Sequence, residues 1–187
     1  DVKSITVNHP EIGEEIRRAL LMLKHPAANH VHLKYKEDIF ADYGVEDEIR
    51  KALRPKVWLK NGGYLIIQQT EALVVIDVNT GKYVGEDSLQ ETILQTNQEA
   101  ARAIARQIRL RNLGGIIIVD FIDMSSDEDK QKLLDVLEAA VGKDRVKCQV
   151  VGLTQLGLVE MTRKKVGQTL EVRYGQKCPT CEGKGFC

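Results

Sequence analysis

Two segments, Leu73-Val-Val-Ile-Asp77-Val-Asn79-Thr-Gly81 and Ile116-Ile-Ile-Val-Asp120-Phe-Ile-Asp123-Met124, each drive a β-branched apolar run straight into an aspartate. A carboxylate left unpaired inside a buried strand is heavily penalised, so an acid that ends such a run belongs at a mouth, paired or bound to a metal. Two such ends side by side would make a divalent-cation site. Asp77 and Asn79 are two apart, so on a continuing strand both point to one face. There the amide could accept from a metal-bound water or donate to a phosphate oxygen, and Gly81 lets the backbone turn away. Taken alone, Asp-x-Asn-x-Gly equally fits an Asx-type turn. Asp123 could be a supporting acid or the start of the turn into the next helix.

What surrounds these acids narrows the chemistry. All four histidines (His9, His25, His30, His32) lie in the first 32 residues, and His30 and His32 read as solvent-facing strand positions. There is no Gly-x-Ser-x-Gly elbow, Walker-type phosphate loop or His-Glu-x-x-His pair. The remaining donors are carboxylate and amide oxygens, the ligand set of Mg²⁺ or Mn²⁺. Arg106, Arg109 and Arg111 cluster at the end of a long helical pattern just before the Asp120 strand, and Arg163-Lys164-Lys165 form a second patch. Both suit a phosphodiester, and both suit a helix dipole or a solvated face.

Near the end of the chain, Cys178-Pro-Thr-Cys181 has the spacing at which two thiolates grip one tetrahedral zinc. Two cysteines are half a site. Cys148 and Cys187 of the same chain, or the same knuckle of a second chain, could complete it. Cys148 falls in an apolar strand and suits a core better. A redox role is the rival, but the motif does not open a helix after a strand.

The elements that must position these groups follow from periodicity. Ile12, Ile16, Ala19, Leu20 and Leu23 form a helical stripe ending before Pro26, residues 30–36 alternate as a strand, and 45–53 is a short helix closed by Pro55. From Lys56 a three-stranded meander begins: Val57 to Leu59, an Asn61-Gly-Gly63 turn, Tyr64 to Gln69, and the Asp77 strand. Ser88 and Glu91 make a capping box for a long helix with Leu89, Ile93, Ala100, Ile104 and Ile108 inward. Ser125 or Ser126 caps a helix to Val141, residues 146–153 read as a strand, and Val159 to Thr162 as a short apolar stretch. The predicted fold class is α/β, a mixed sheet with flanking helices.

With 187 residues, 43% hydrophobic and 29% charged, the chain suits a globular core, and its net charge of zero leaves only local clusters to attract a polyanion. No apolar run approaches the ~20 residues that span a bilayer. The opening at Asp1 lacks a basic-then-apolar leader and reads as a piece of something longer. Four unevenly spaced cysteines favour a reduced compartment, hence a cytoplasmic location.

Ile76-Asp-Val-Asn79-Thr-Gly81, Thr96-Asn97, Arg109-Leu-Arg111-Asn-Leu-Gly-Gly115, Val119-Asp-Phe-Ile-Asp-Met124, Gly157-Leu-Val-Glu-Met-Thr-Arg163 and Cys178-Pro-Thr-Cys181, taken in order, resemble the bacterial ribonuclease E/G family. The resemblance implies an endoribonuclease acting on single-stranded RNA in processing and decay, leaving 5′-phosphate and 3′-hydroxyl ends. It implies a catalytic magnesium held by Asp77 and Asp120, with Asn79 assisting at the scissile phosphate. Cys178 and Cys181 would hold half of a zinc site shared in a homodimer, within a tetramer in the full-length family. Arg109, Arg111, Arg163 and Lys164 become candidate RNA contacts. By the same resemblance, residues 1–53 are part of a ribonuclease H-like segment, 54–174 a deoxyribonuclease I-like catalytic subdomain and 175–187 the zinc link. The family's S1 domain, 5′-monophosphate sensor and small dimer-organising domain have no counterpart in these residues. Activity of the chain alone is therefore expected to be poor, and a catalytically silent zinc-linked interaction module or a small-molecule phosphoesterase are the rival readings.

Overall fold

The structure, a computed structural model, describes residues 2–35, 37–81, 89–176 and 178–180. The chain divides into two compact units, residues 1–50 and 51–187. In the first, β1 (Ile5–Val7) pairs in parallel with β2 (Val31–Leu33), joined through α1 (Pro10–Met22) and a 3-10 turn (Pro26–His30). Two short helices follow, α2 (Ile39–Asp42) and α3 (Val45–Ala52), the latter running across the boundary between the units. The predicted strand shortens to three residues, with His30 in the 3-10 turn and His32 exposed. The α1 stripe is not a core stripe: Ile12, Ala19 and Leu23 are exposed, Ile16 and Leu20 only half-buried, and Gly13 is the helix's buried residue.

The second unit is built on a six-stranded mixed sheet. Its members are β3 (Lys56–Trp58), β4 (Tyr64–Gln69), β5 (Leu73–Asn79), β6 (Gly115–Asp120), β7 (Cys148–Leu153) and β8 (Val159–Arg163), in the order β3-β4-β5-β6-β8-β7. The meander forms as expected, β3, β4 and β5 being antiparallel neighbours. Only β5 and β6 run parallel, linked by a crossover that contains α4 (Leu89–Leu110). The stretch expected to be merely apolar, Val159 to Thr162, is the strand β8, inserted between β6 and β7.

Alternation divides the sheet into two faces. Leu65, Ile67, Val74, Ile76, Val78, Ile117, Val119, Val159 and Met161 are buried together with Ala100, Ala101, Ile104 and Ile108 of α4 and Leu133, Leu137 and Val141 of α5 (Asp127–Val141). This apolar layer, where each fully buried aliphatic side chain contributes about 1.5–3 kcal/mol, fixes the register of the strands beneath it. Ser126 caps α5 by accepting from the Asp129 N–H at 3.3 Å. Ser88, the expected cap of α4, lies outside the described residues. A last short helix, α6 (Leu170–Tyr174), is tied back by Leu170 N–H donating to the Arg111 carbonyl at 2.9 Å. Among the described residues no helix is long and apolar enough to cross a membrane.

Candidate active site

Burial of Ile76 and Val119 against the helices forces the residues after them, Asp77 and Asp120, to the opposite face of the sheet. The parallel register then sets them side by side, Asp77 opposite Asp120 on adjacent strands. Neighbouring strands are ~4.8 Å apart, so the two acids project in the same direction from backbones about that far from each other. Asp120 is exposed and Asp77 half-buried. Among the described residues neither has an ion-pair partner.

Asn79 lies on the same face and donates from Nδ2 to Asp77 Oδ2 at 2.6 Å. This bond takes one of the two amide hydrogens, leaving the other hydrogen and the carbonyl oxygen available. Both uses the sequence allowed, accepting from a metal-bound water and donating to a phosphate oxygen, remain compatible with this bond. Gly81 follows, and its role is close approach: a Cβ there would run into the carbonyl oxygen of Gly62 in the β3–β4 turn. Gly63 packs likewise, since a Cβ on it would lie 2.9 Å from the Asn79 carbonyl. The Gly-Gly turn is thereby folded against the exit of β5.

Helix α4 holds both ends of this arrangement through polar side chains on its inner face. Asn97, fully buried, donates to the Ile122 carbonyl at 2.8 Å and accepts from the Ile122 N–H at 3.1 Å, which pins the chain two residues beyond Asp120. Thr96, also buried, accepts from Asn61 Nδ2 at 2.8 Å, while Glu99 accepts from the Lys60 N–H. The sequence signal for this was an asparagine lying on the helical stripe of Ala101, Ile104 and Ile108. A polar residue there must be satisfied by something the helix clamps.

The basic residues stand elsewhere. Arg109 and Arg111 precede β6, and Arg163 pairs with Gly115 at its first residue, whereas Asp120 is its last. Five residues of strand at ~3.3 Å each separate them by roughly 16 Å. Arg163 is also not a surface residue. Its side chain is 3% exposed, donating from Nε to Asp144 Oδ2 at 3.0 Å and from Nη1 to the Leu113 carbonyl at 2.8 Å and to Asn112 Oδ1 at 3.1 Å. Burial would raise the Asp144 carboxyl, but the Val146 N–H and the Arg163 guanidinium outweigh it and hold the acid below its ordinary value. The Cys148 thiol, 4.0 Å from the same carboxylate, is pushed up by burial and by the Asp144 charge. Arg111 is buried as well, its Nε donating to Gln107 at 2.9 Å, and burial lowers its pKa against the opposing pull of Glu171. Arg163 and Arg111, expected as candidate RNA contacts, thus have buried side chains. Arg109 and Lys164 are exposed, and Lys164 lines a shallow depression of about 520 Å³ with Lys147, Gln149 and Thr162.

A cleft of about 440 Å³ beside α4 and α5, lined by Gln90, Ile93, Asp123, Met124, Ser125 and Asp129, contains neither Asp77 nor Asp120. Asp123 lies in the connection between β6 and α5 and lines this cleft. Among the described residues no three carboxylate, imidazole or thiol side chains gather into a metal cluster. Two aligned carboxylates nevertheless fit Mg²⁺, which is commonly held by one or two carboxylates with the remaining positions left to water and substrate phosphate. Cys178 is exposed and followed by a turn at Pro179 and Thr180, while Cys181 lies outside the described residues.

A family model described as "Ribonuclease E/G family" matches residues 1–166. Ribonuclease G of Salmonella typhimurium (strain SL1344) is 54% identical over 154 residues, 82% of this chain and 32% of the relative. Ribonuclease G of Haemophilus influenzae is 56% identical over 149 residues, covering 80% and 30%. Ribonuclease E of a Synechocystis species is 51% identical over 143 residues, covering 76% and 21%. The chain therefore spans about a third or less of the length of these relatives.

Proposed function

The chain belongs to the ribonuclease E/G family, and on that premise we propose that it carries the catalytic face of a metal-dependent endoribonuclease acting on single-stranded RNA. The observation that supports this most is the register alignment of Asp77 with Asp120 on an open sheet face. Like charges a strand apart repel, and a divalent cation between them reverses the sign of that interaction. Asp77 and Asp120 would hold Mg²⁺ or Mn²⁺, whose contribution when bound is a more acidic water and neutralisation of the charge that grows on the phosphate. Asn79, steadied by its bond to Asp77, would orient the attacking water through its carbonyl oxygen or hold a phosphate oxygen through its second amide hydrogen. Hydrolysis in this sense breaks the bond to the 3′-oxygen and leaves 5′-phosphate and 3′-hydroxyl ends.

Residues 54–174 would then be the deoxyribonuclease I-like part and residues 1–53 a portion of a ribonuclease H-like one. Arg109 and Lys164, remote from the acids, would contact RNA at a distance from the cut. Zinc fits the tail by the chemistry of its donors: a turn separates Cys178 from Cys181, and Cys148, held protonated beside Asp144, is poorly suited to join them. A second copy would complete the four thiolates, making a homodimer. Unevenly spaced cysteines and an RNA substrate together support a cytoplasmic location.

Labelled A/U-rich single-stranded RNA incubated with the chain and Mg²⁺ tests the enzyme reading. Asp77→Asn and Asp120→Asn should each slow cleavage by about 100-fold or more, on the scale of losing one electrostatic stabiliser. Cleavage indifferent to both substitutions, or surviving EDTA, would remove this reading. Faster turnover of a nitrophenyl phosphodiester than of RNA would shift it to a small-molecule phosphoesterase.

A further inference from the structure

The same face carries a feature that metal chemistry does not use. On the edge strand β3, the Trp58 side chain is 65% exposed, a costly position for the largest apolar residue. Its ring meets that of Tyr64 edge-on, centroids 5.4 Å apart and planes at 62°. The Lys56 ammonium lies 4.0 Å from the Trp58 centroid and 3.7 Å from that of Tyr64. Two aromatic rings and one cation are thus gathered at the surface.

Register ties this cluster to the acids. Trp58 is opposite Tyr64, which is opposite Asn79, while Lys56 is opposite Ile66, which is opposite Asp77 and then Asp120. Opposed residues share a face, so the cluster and the catalytic candidates occupy the same two rows of one surface. Two strand spacings, roughly 10 Å, separate the Lys56 and Asp77 backbones. Proteins grip single strands with this combination, an aromatic surface for the base and a cation for the phosphate.

We propose that Lys56, Trp58 and Tyr64 form a stacking platform for a nucleobase of single-stranded RNA next to the phosphate held at Asp77 and Asp120. The inference rests on the endoribonuclease reading for its substrate, but its test does not require cleavage. Binding a base on Trp58 requires Lys56 to exchange part of its contact with the rings for the adjacent phosphate. A chain with no net charge must take its hold on RNA from such local groups.

Trp58 is the only tryptophan in the chain, so its emission reports on this spot alone. The chain is titrated in EDTA with a short unstructured oligoadenylate and, separately, with inorganic polyphosphate, which has charge but no bases. Saturable quenching by the oligonucleotide and not by polyphosphate is expected. Fluorescence anisotropy of labelled RNA should show binding weakened about 5- to 150-fold in Trp58→Leu and largely retained in Trp58→Phe. Circular dichroism in urea checks that both variants fold. Equal quenching by polyphosphate, unaltered RNA affinity in a folded Trp58→Leu, or no RNA binding at all would overturn the proposal. So would self-association that disappears with Trp58→Leu, which would make the patch a protein interface. Quenching that persists while cleavage ignores Asp77→Asn would sink the catalytic reading and leave the platform. Acid-dependent cleavage without quenching would do the reverse.

Discussion

Replacing Asp144 by alanine should be among the most damaging single changes outside the candidate active face. The guanidinium of Arg163, 3% exposed, would keep its hydrogen bonds to Leu113 and Asn112 but lose the charge that balances it. Stranding one member of a buried pair costs about 3–5 kcal/mol, a large part of the ~5–15 kcal/mol that holds a typical domain together. Replacing both, Asp144→Ala with Arg163→Met, removes both charges and should cost clearly less than the sum of the single changes. Acid dependence adds a sign. The folded-state pKa of Asp144 lies below its unfolded value, so the stabilisation is complete above the unfolded pKa near 4 and drains away as pH falls through the folded one. The groups that set it are Arg163, the Val146 N–H and, more weakly, Arg109, none of which changes charge there. Urea unfolding followed by circular dichroism should give a wild-type-to-Asp144→Ala gap that is widest near pH 7 and narrows below pH 4. A gap under about 1 kcal/mol at pH 7 would refute this account of the pair. So would an Arg163→Met variant of normal stability whose RNA affinity falls and whose salt dependence flattens, since that is how a phosphate contact behaves.

Asn97→Leu leaves the Ile122 N–H and carbonyl unpaired, at about 1–3 kcal/mol each, so the urea midpoint should fall and cleavage should drop further than the folded fraction accounts for. An active, fully stable variant would dismiss the clamp. Gly81→Ala must push the β5 exit off the Gly62 carbonyl and with it Asn79, so cleavage should slow at near-normal RNA affinity. Unchanged kinetics would mean the turn yields elsewhere. For the tail, native mass spectrometry should show a zinc-containing dimer that becomes a monomer with chelator or with Cys178→Ser. A monomer throughout would dispose of the shared knuckle.

Most of what local pattern governs could be read from the residues. The β-branched runs marked β5 and β6, the Asn61-Gly-Gly63 turn marked the meander, and the Ser125-Ser126 pair marked the start of α5, with Ser126 the cap. What could not be read depended on partners far along the chain. Arg163 looks like the first of three surface cations, yet it alternates with Val159 and Met161 on the core face and finds Asp144 nineteen residues away. Arg109 and Arg111 are near Asp120 in number, but a strand lies between, so proximity in sequence became opposite ends in space. The α1 stripe satisfies helical periodicity without being buried, because periodicity states which side is apolar and not whether anything covers it. Nor does any residue announce that Asp77 should align with Asp120 rather than with its neighbour. A slip of one would have turned an acid into the core.

The lone parallel pairing in the six-stranded sheet has a consequence for how the two acids come together. Antiparallel neighbours such as β4 and β5 can zip from a tight turn, but β5 and β6 can only be joined once a whole helix has crossed between them. The two acids come from either side of that detour. A nascent or partly unravelled chain therefore holds each carboxylate but not the pair, which exists only once this long-range pairing has formed.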